Sequence, residues 1–193
     1  DHPEAHHRMW VNINQDMVGA NQAQDVMRKQ NITRVPAARF HFFNDVVESV
    51  IEYMITVNKY ELAQAQAGTP FYPEPHMAHL GSRHRYNAEM IFFHSNSDHM
   101  TFNEAPIGVP GSSFTNMPDR YIHSSDDDLY NVDPTQMARN NFIVSALTYI
   151  LAFTEEDDVP LLSSETFLHG SRRLATDVAV ATRVLHDGAD WKD

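Results

Sequence analysis

Residues 9–14, MWVNIN, alternate apolar and polar positions, and this period of two predicts a half-buried strand. Gly19, a few residues on, suits a turn leaving that strand. Residues 21–39 are polar with few breaks and take no element in this reading. From 41 to 66 the period changes. Phe43, Val46, Val47, Val50, Met54 and Val57 recur at helical spacing and predict a helix with one face in the core. A Pro/Gly-rich loop follows, from Gly68 to Tyr86. AEMIFFH, 88–94, reads as a second, buried strand, and a third short strand is predicted near 112–115, after the turn residues Gly108, Pro110 and Gly111. Asp133-Pro134 opens a helix over 134–153, with Asp133 as its cap and Pro134 in its first turn. Its apolar face is read as Met137, Phe142, Ala146, Tyr149, Ile150 and Phe153. A charged break, TEEDDVP, precedes a last helix over 163–186, rich in Ala, Val and Leu. Three strands with intervening helices point to the α/β class.

Composition narrows the partners. The chain has 193 residues, the length of one ordinary domain, and 42% are hydrophobic, enough for a packed core. Its formal net charge is −12, which argues against nucleic acid, since phosphate binding wants a basic face. Metal cations and cationic groups such as a peptide amino terminus suit an acidic surface better. There are no cysteines, so any metal must be held by His, Asp and Glu. The absence of cysteine leaves the compartment open, with a lean to a secreted or periplasmic protein whose front has been processed or truncated. No apolar run approaches the roughly 20 residues of a membrane-spanning helix. Asn31-Ile32-Thr33 is a formal glycosylation sequon, a triplet common by chance.

Three segments carry candidate chemistry. Asp16 ends the first strand, where α/β folds usually place active sites. Ser97-Asp98-His99 follows the second strand. NMPDRYIHSSDDDLYNVDP, 116–134, sets His123 just before Asp126, Asp127 and Asp128. Zinc takes imidazole nitrogen and carboxylate oxygen readily, and a ligating imidazole binds best when a carboxylate or carbonyl holds its other N–H. His123 followed by acids fits that pattern. The remaining histidines, including His2, His6, His7, His76, His79, His84 and His94, read mostly as surface residues.

Taken in order, these segments resemble the M28 family of zinc metallopeptidases. VNINQDMVG resembles the family's N-L-D-M-V-G strand. SNSDHMTFNEAPIGVP resembles its S-D-H-x-x-F segment with the following G-[IV]-P, and PDRYIHSSDDDLYNVDP resembles its P-D-x-x-Y-H-T segment. The resemblance covers about residues 2–152. It implies a three-layer α/β/α zinc-exopeptidase fold with a mixed central sheet, cleaving peptide substrates with two Zn2+ ions. It further implies that Asp16 and His123 are metal ligands, that Asp127 supports His123, and that Asp98 lines the site without binding metal. Two metals about 3.5–4 Å apart can together activate a water and polarise a scissile carbonyl. Ile122, Ser124 and Asp128 depart from the family pattern, where tyrosine, threonine and threonine are usual.

Other parts of that pattern do not appear. The family also uses an H-x-D pair and a Glu-Glu pair, the latter giving the general base and another ligand, both upstream of the D-M-V-G strand. No such pair precedes Asp16, and Glu155-Glu156 lies far downstream in the charged break. The expectation is therefore that residues 1–153 are the C-terminal half of a peptidase-like catalytic domain, with 154–193 a charged break and a helix. The N-terminal half would be absent from this chain, in the same precursor or a separate chain. Alone, such a piece should neither fold stably nor catalyse. An exopeptidase of the aminopeptidase kind is the leading reading. The alternatives are a peptidase-like binding or structural protein that has lost catalysis, and, more weakly, an acyl-transferring zinc enzyme such as a glutaminyl cyclase. The D-M-V-G motif and the lack of a Trp before His123 count against the last.

Overall fold

A computed structural model describes residues 4, 7–24, 28–39, 41–68 and 76–188. His2, His6 and residues 69–75 of the Pro/Gly-rich loop lie outside the described residues. The chain divides into two compact units, Asp1–Phe153 and Thr154–Asp193.

The first unit is mixed α/β. Four strands, β1 (Asn12–Gln15), β2 (Lys29–Thr33), β3 (Ala88–Ile91) and β4 (Gly111–Met117), form one sheet in the order β1-β4-β2-β3. β1 runs parallel to β4, with Asn12 beside Gly111 and Gln15 beside Phe114. β2 runs antiparallel to β4 and parallel to β3. The strands β1 and β4 therefore finish at one end of the sheet, and β2 and β3 finish at the opposite end. Helices α1 (Phe43–Gln66), α2 (His99–Asn103) and α3 (Pro134–Phe153) cover the sheet.

The centre of this sheet is polar. Gln30 and Thr33 on β2, and Ser113, Thr115 and Asn116 on β4, are fully buried. Burying a polar group is costly unless it is hydrogen-bonded, and most of these have partners. Ser112 Oγ donates to the Thr33 carbonyl (2.6 Å), and Thr33 Oγ1 accepts from Ser113 N (2.8 Å). Asn31 accepts from Met117 N and donates to Glu89. At 7% exposure and so engaged, Asn31 is no glycosylation acceptor in the folded chain. The apolar core lies above one face, where Phe43, Val46, Val47, Val50, Ile51 and Met54 of α1 are buried, as the helical spacing predicts for five of the six. Val57, also expected there, is half-buried, and Asn58 takes the buried position.

Helix α3 differs from its reading. Met137, Tyr149 and Phe153 are exposed, and the buried face is Thr135, Gln136, Arg139, Asn140, Ile143, Leu147 and Leu151. Loop carbonyls meet three of the polar side chains buried in the first two turns, those of Thr135, Arg139 and Asn140. Arg139 donates to the carbonyls of His76 (3.1 Å) and His84 (2.8 Å). Asp133 does cap the helix, accepting from Thr135 N at 2.9 Å, and it also accepts from Ser82 N and Oγ. Gly81 lies in that contact: a Cβ there would sit 2.5 Å from Thr135 N. β1 starts at Asn12, and Met9 and Trp10 before it are exposed.

In the second unit, helix α4 (Val159–His186) begins four residues before its predicted start. Glu155 and Glu156 sit in the turn leading into it, where Glu155 N donates to Asp158 Oδ2. No helix among the described residues is long and apolar enough to cross a membrane.

Candidate metal centre at one end of the sheet

Asp16 directly follows β1, and its backbone stays attached to the neighbouring strand. Asp16 N (3.2 Å) and Met17 N (3.0 Å) both donate to the Phe114 carbonyl on β4. The chain then runs through Val18 and Gly19 to Ala20, which bridges Val132. Asp133 N donates to the Gly19 carbonyl (2.7 Å) and Asn21 N to the Asn131 carbonyl (2.9 Å). Gly19 serves close approach here: a Cβ would meet Met137 Cγ at 3.0 Å. The sequence reading assigned it to a turn.

β4 leaves the sheet at that same end. Its register with β2 pairs Met117 with Lys29, so Arg28 stands beside the next residue, Pro118. Arg28, 1% exposed, donates through NH2 to Asp119 Oδ1 (2.9 Å) and through Nε to the Pro118 carbonyl (3.3 Å). Its NH1 lies 3.5 Å from the Asn21 carbonyl, beyond the loop that carries Asp16. Asp119 Oδ1 also accepts from Tyr121 N. This guanidinium therefore holds the segment Pro118–Tyr121 leading to His123.

His123 is exposed and has φ 60°. A side chain with a Cβ enters this left-handed region at a cost of roughly 1–3 kcal/mol, and such outliers cluster at functional sites. The loop around it is pinned by Ser124 N to the Tyr121 carbonyl, Asp126 N to Ser124 Oγ, and Asp128 Oδ1 accepting from Tyr130 N. Asp127 donates its own N–H to the Ser124 carbonyl, and among the described residues no hydrogen bond joins its carboxylate to His123.

The third segment reaches the site from the far edge. After β3 the chain crosses back over the sheet, and Asn14 on β1 donates to Ser97 Oγ (2.6 Å). Asp98 is exposed, and its backbone carbonyl accepts from Thr101 N at the start of α2. His99 is fully buried, edge-on to Phe93 at 5.4 Å and to His94 at 6.4 Å. No hydrogen bond of normal geometry reaches either ring nitrogen. Burial lowers its proton affinity and His94 lowers it further. Opposing these are the nearby carbonyls of His94 and Ser97 and the carboxylate of Asp16. The Asp98-His99 turn thus lies within electrostatic reach of Asp16, while the carboxylate of Asp98 takes no hydrogen bond among the described residues.

The donor chemistry fits a divalent metal. Asp16 is an exposed carboxylate and His123 an exposed imidazole, and among the described residues neither side chain has a hydrogen-bond or ion-pair partner. Their loops leave one end of the sheet and are joined by the Gly19–Asn21 to Asn131–Asp133 pairing. Oxygen and nitrogen donors of this kind are the ligand types zinc accepts.

Against the models of known families, residues 1–148 match that of peptidase family M28. The chain belongs to this family. Membership implies peptidase activity, the hydrolysis of peptide bonds, and the mixed four-stranded sheet with its helices is consistent with an M28 domain. No curated protein and no solved structure matches the chain significantly.

Sequence reasoning about the M28 segments missed the side chains that hold them. Arg28 and Gln30 lie in the polar stretch given no element, and Asn140 lies outside the apolar face read for its helix. One signal was present: the unbroken run Lys29–Thr33 contains no Gly or Pro and ends in Ile-Thr, both favoured in strands.

Proposed function

We propose that the protein is a zinc-dependent exopeptidase of the aminopeptidase kind, with Asp16 and His123 among the ligands of a two-zinc site. Asp127 would orient His123, and Asp98 would line the pocket. The observation that carries this reading is the pairing of the loops bearing Asp16 and His123 at one end of the sheet, neither side chain having a hydrogen-bond or ion-pair partner among the described residues. The left-handed backbone at His123 adds support, because the fold tolerates strain there. Zinc in such a site supplies Lewis-acid polarisation of the scissile carbonyl and a more acidic water. The chain's own residues orient and attract. Asp126, Asp127 and Asp128, all exposed beside His123, present negative charge suited to a peptide's amino terminus. The general base and remaining ligands are assigned to residues outside this chain.

The test is zinc stoichiometry of the full-length protein, with Asp16→Asn and His123→Ala beside the parent. Each variant should lose bound zinc and activity together. Unchanged stoichiometry in either variant removes that residue from the site. Cleavage of an aminoacyl anilide but not its N-acetylated form identifies an aminopeptidase; equal cleavage of both rejects that assignment.

A further inference from the structure

Two buried primary amides hold the chain just after Asp16. Gln30 Nε2 donates to the Met17 carbonyl (3.1 Å) and to the Thr115 carbonyl (2.7 Å). Gln30 Oε1 accepts from Asn140 Nδ2 (2.7 Å) and Asn116 Nδ2 (3.2 Å). The other hydrogen of Asn140 Nδ2 goes to the Val18 carbonyl (2.6 Å), and Asn140 Oδ1 accepts from Tyr86 OH (2.6 Å). Gln30 and Asn140 are fully buried and Tyr86 is 3% exposed. Burial raises the pKa of Tyr86, which keeps its hydroxyl protonated and able to donate. Every amide hydrogen of the pair is used. Exchanging oxygen and nitrogen on either residue would set its amide oxygen against acceptor oxygens, the Met17 and Thr115 carbonyls for Gln30 and the Val18 carbonyl and Gln30 Oε1 for Asn140, so the network admits one orientation.

We propose that Gln30 and Asn140 are positioning residues for Asp16. The inference rests on the reading of Asp16 as a metal ligand and extends it to side chains on a different strand and on helix α3. The peptide at Asp16 is bonded to Phe114 on one side, and the next two carbonyls are gripped by the amide pair on the other. The carboxylate is thereby set on a backbone with little freedom, and a metal would meet it without an ordering cost. Apolar side chains of similar size would fill the same space without desolvating two amides, but they would not grip carbonyls. Outer partners of this kind typically change metal affinity by about 10- to 100-fold when removed.

The experiment is a zinc competition titration against a chromophoric chelator on the full-length protein, with thermal melting measured in parallel. The variants are Gln30→Met, Asn140→Ala and Asp16→Asn. Leu147→Ala, a fully buried apolar position farther along α3, serves as the control for lost stability. Gln30→Met conserves volume and keeps the test alive should Asn140→Ala not fold. The expected result is that Gln30→Met and Asn140→Ala weaken zinc binding by about tenfold or more, while Leu147→Ala lowers the melting temperature and binds zinc within about twofold of the parent. Should Asp16→Asn lose zinc while Gln30→Met melts lower and binds zinc as the control does, the amides are merely structural and the proposal falls. Should Asp16→Asn bind zinc as the parent does, the ligand reading fails and the proposal falls with it.

Discussion

Replacing Asp119 by Asn tests how the loop before His123 is held. The change keeps the size and one carbonyl oxygen facing Arg28, and it removes only the negative charge. If the contact mattered only as a hydrogen bond, the loss would be about 1 kcal/mol. The guanidinium is 1% exposed and the carboxylate 8%, however, so solvent cannot take over the stranded charge. With charge centres about 4 Å apart and an effective dielectric near 20, the attraction is about 4 kcal/mol. Breaking a buried pair by removing one partner typically costs about 3–5 kcal/mol. The carbonyls of Pro118 and Asn21 remain as acceptors and offset part of this. Asp119→Asn should therefore lower the unfolding free energy by about 3 kcal/mol. The assay is equilibrium urea denaturation at neutral pH, repeated at 0.05 M and about 0.5 M salt, because a buried pair is screened little. Arg28→Met and the double variant complete the cycle. The double variant should be less destabilised than the sum of the two singles, because it leaves no unpaired charge. A loss near 1 kcal/mol for Asp119→Asn, or one that disappears in salt, would refute the buried-charge argument.

Two further perturbations have definite signs. Gly81→Ala drives a Cβ to 2.1 Å from Thr135 Oγ1 and 2.5 Å from Thr135 N, a backbone atom at the start of α3. Overpacking of this kind costs about 1–3 kcal/mol, and a melting temperature equal to the parent's would mean the loop simply steps aside. His99 is held below its ordinary pKa of 6.5, chiefly by burial, so the unfolded chain takes up its proton first as pH falls. Its contribution to stability is full above that value and is lost as pH drops through it toward the folded-state value. Denaturant midpoints from pH 7.5 to 5.5 should fall less steeply in His99→Leu than in the parent, and parallel curves would show that His99 does not drive the fall.

Apolar periodicity was legible wherever apolar burial is what holds an element. The stripe Phe43 to Met54 on α1 is buried as its spacing implies. β2 was not legible, because its burial is polar. Gln30 and Thr33 are satisfied by carbonyls and amides from the loop after β1, from β4 and from α3, and that complementarity leaves no pattern within a window of neighbouring residues. The α3 reading failed for the same reason. Its large apolar residues were assigned inward, while Thr135, Arg139 and Asn140 bury against loop carbonyls. Asp16, Asp98, His123 and Asp127 could be put forward as candidates because motifs are contiguous. Their supports could not, since Arg28 and Asp119 stand 91 positions apart and Asn140 and Val18 stand 122 apart.

This division follows from what each kind of residue has to do. An apolar side chain stabilises by area, roughly 25 cal/mol per Å2, and many arrangements satisfy it. A buried amide gains only about 1 kcal/mol per hydrogen bond and loses more than that when a partner is missing. A polar sheet centre is thus a weak way to obtain stability and a strong way to forbid alternatives. The forbidden alternatives here concern the end of the sheet where β1 and β4 stop. Gln30 addresses the carbonyl of Met17, Asn140 that of Val18, and Arg28 those of Asn21 and Pro118. Of these three only Arg28 touches both loops, the one that follows Asp16 and the one that leads to His123, while Gln30 and Asn140 tie the first to the sheet and to α3. A site whose ligands come from separate loops needs each loop fixed relative to the other, because binding energy spent on ordering them is lost from affinity. Residues that stabilise the fold poorly but fix two loops in one register are what such a site requires.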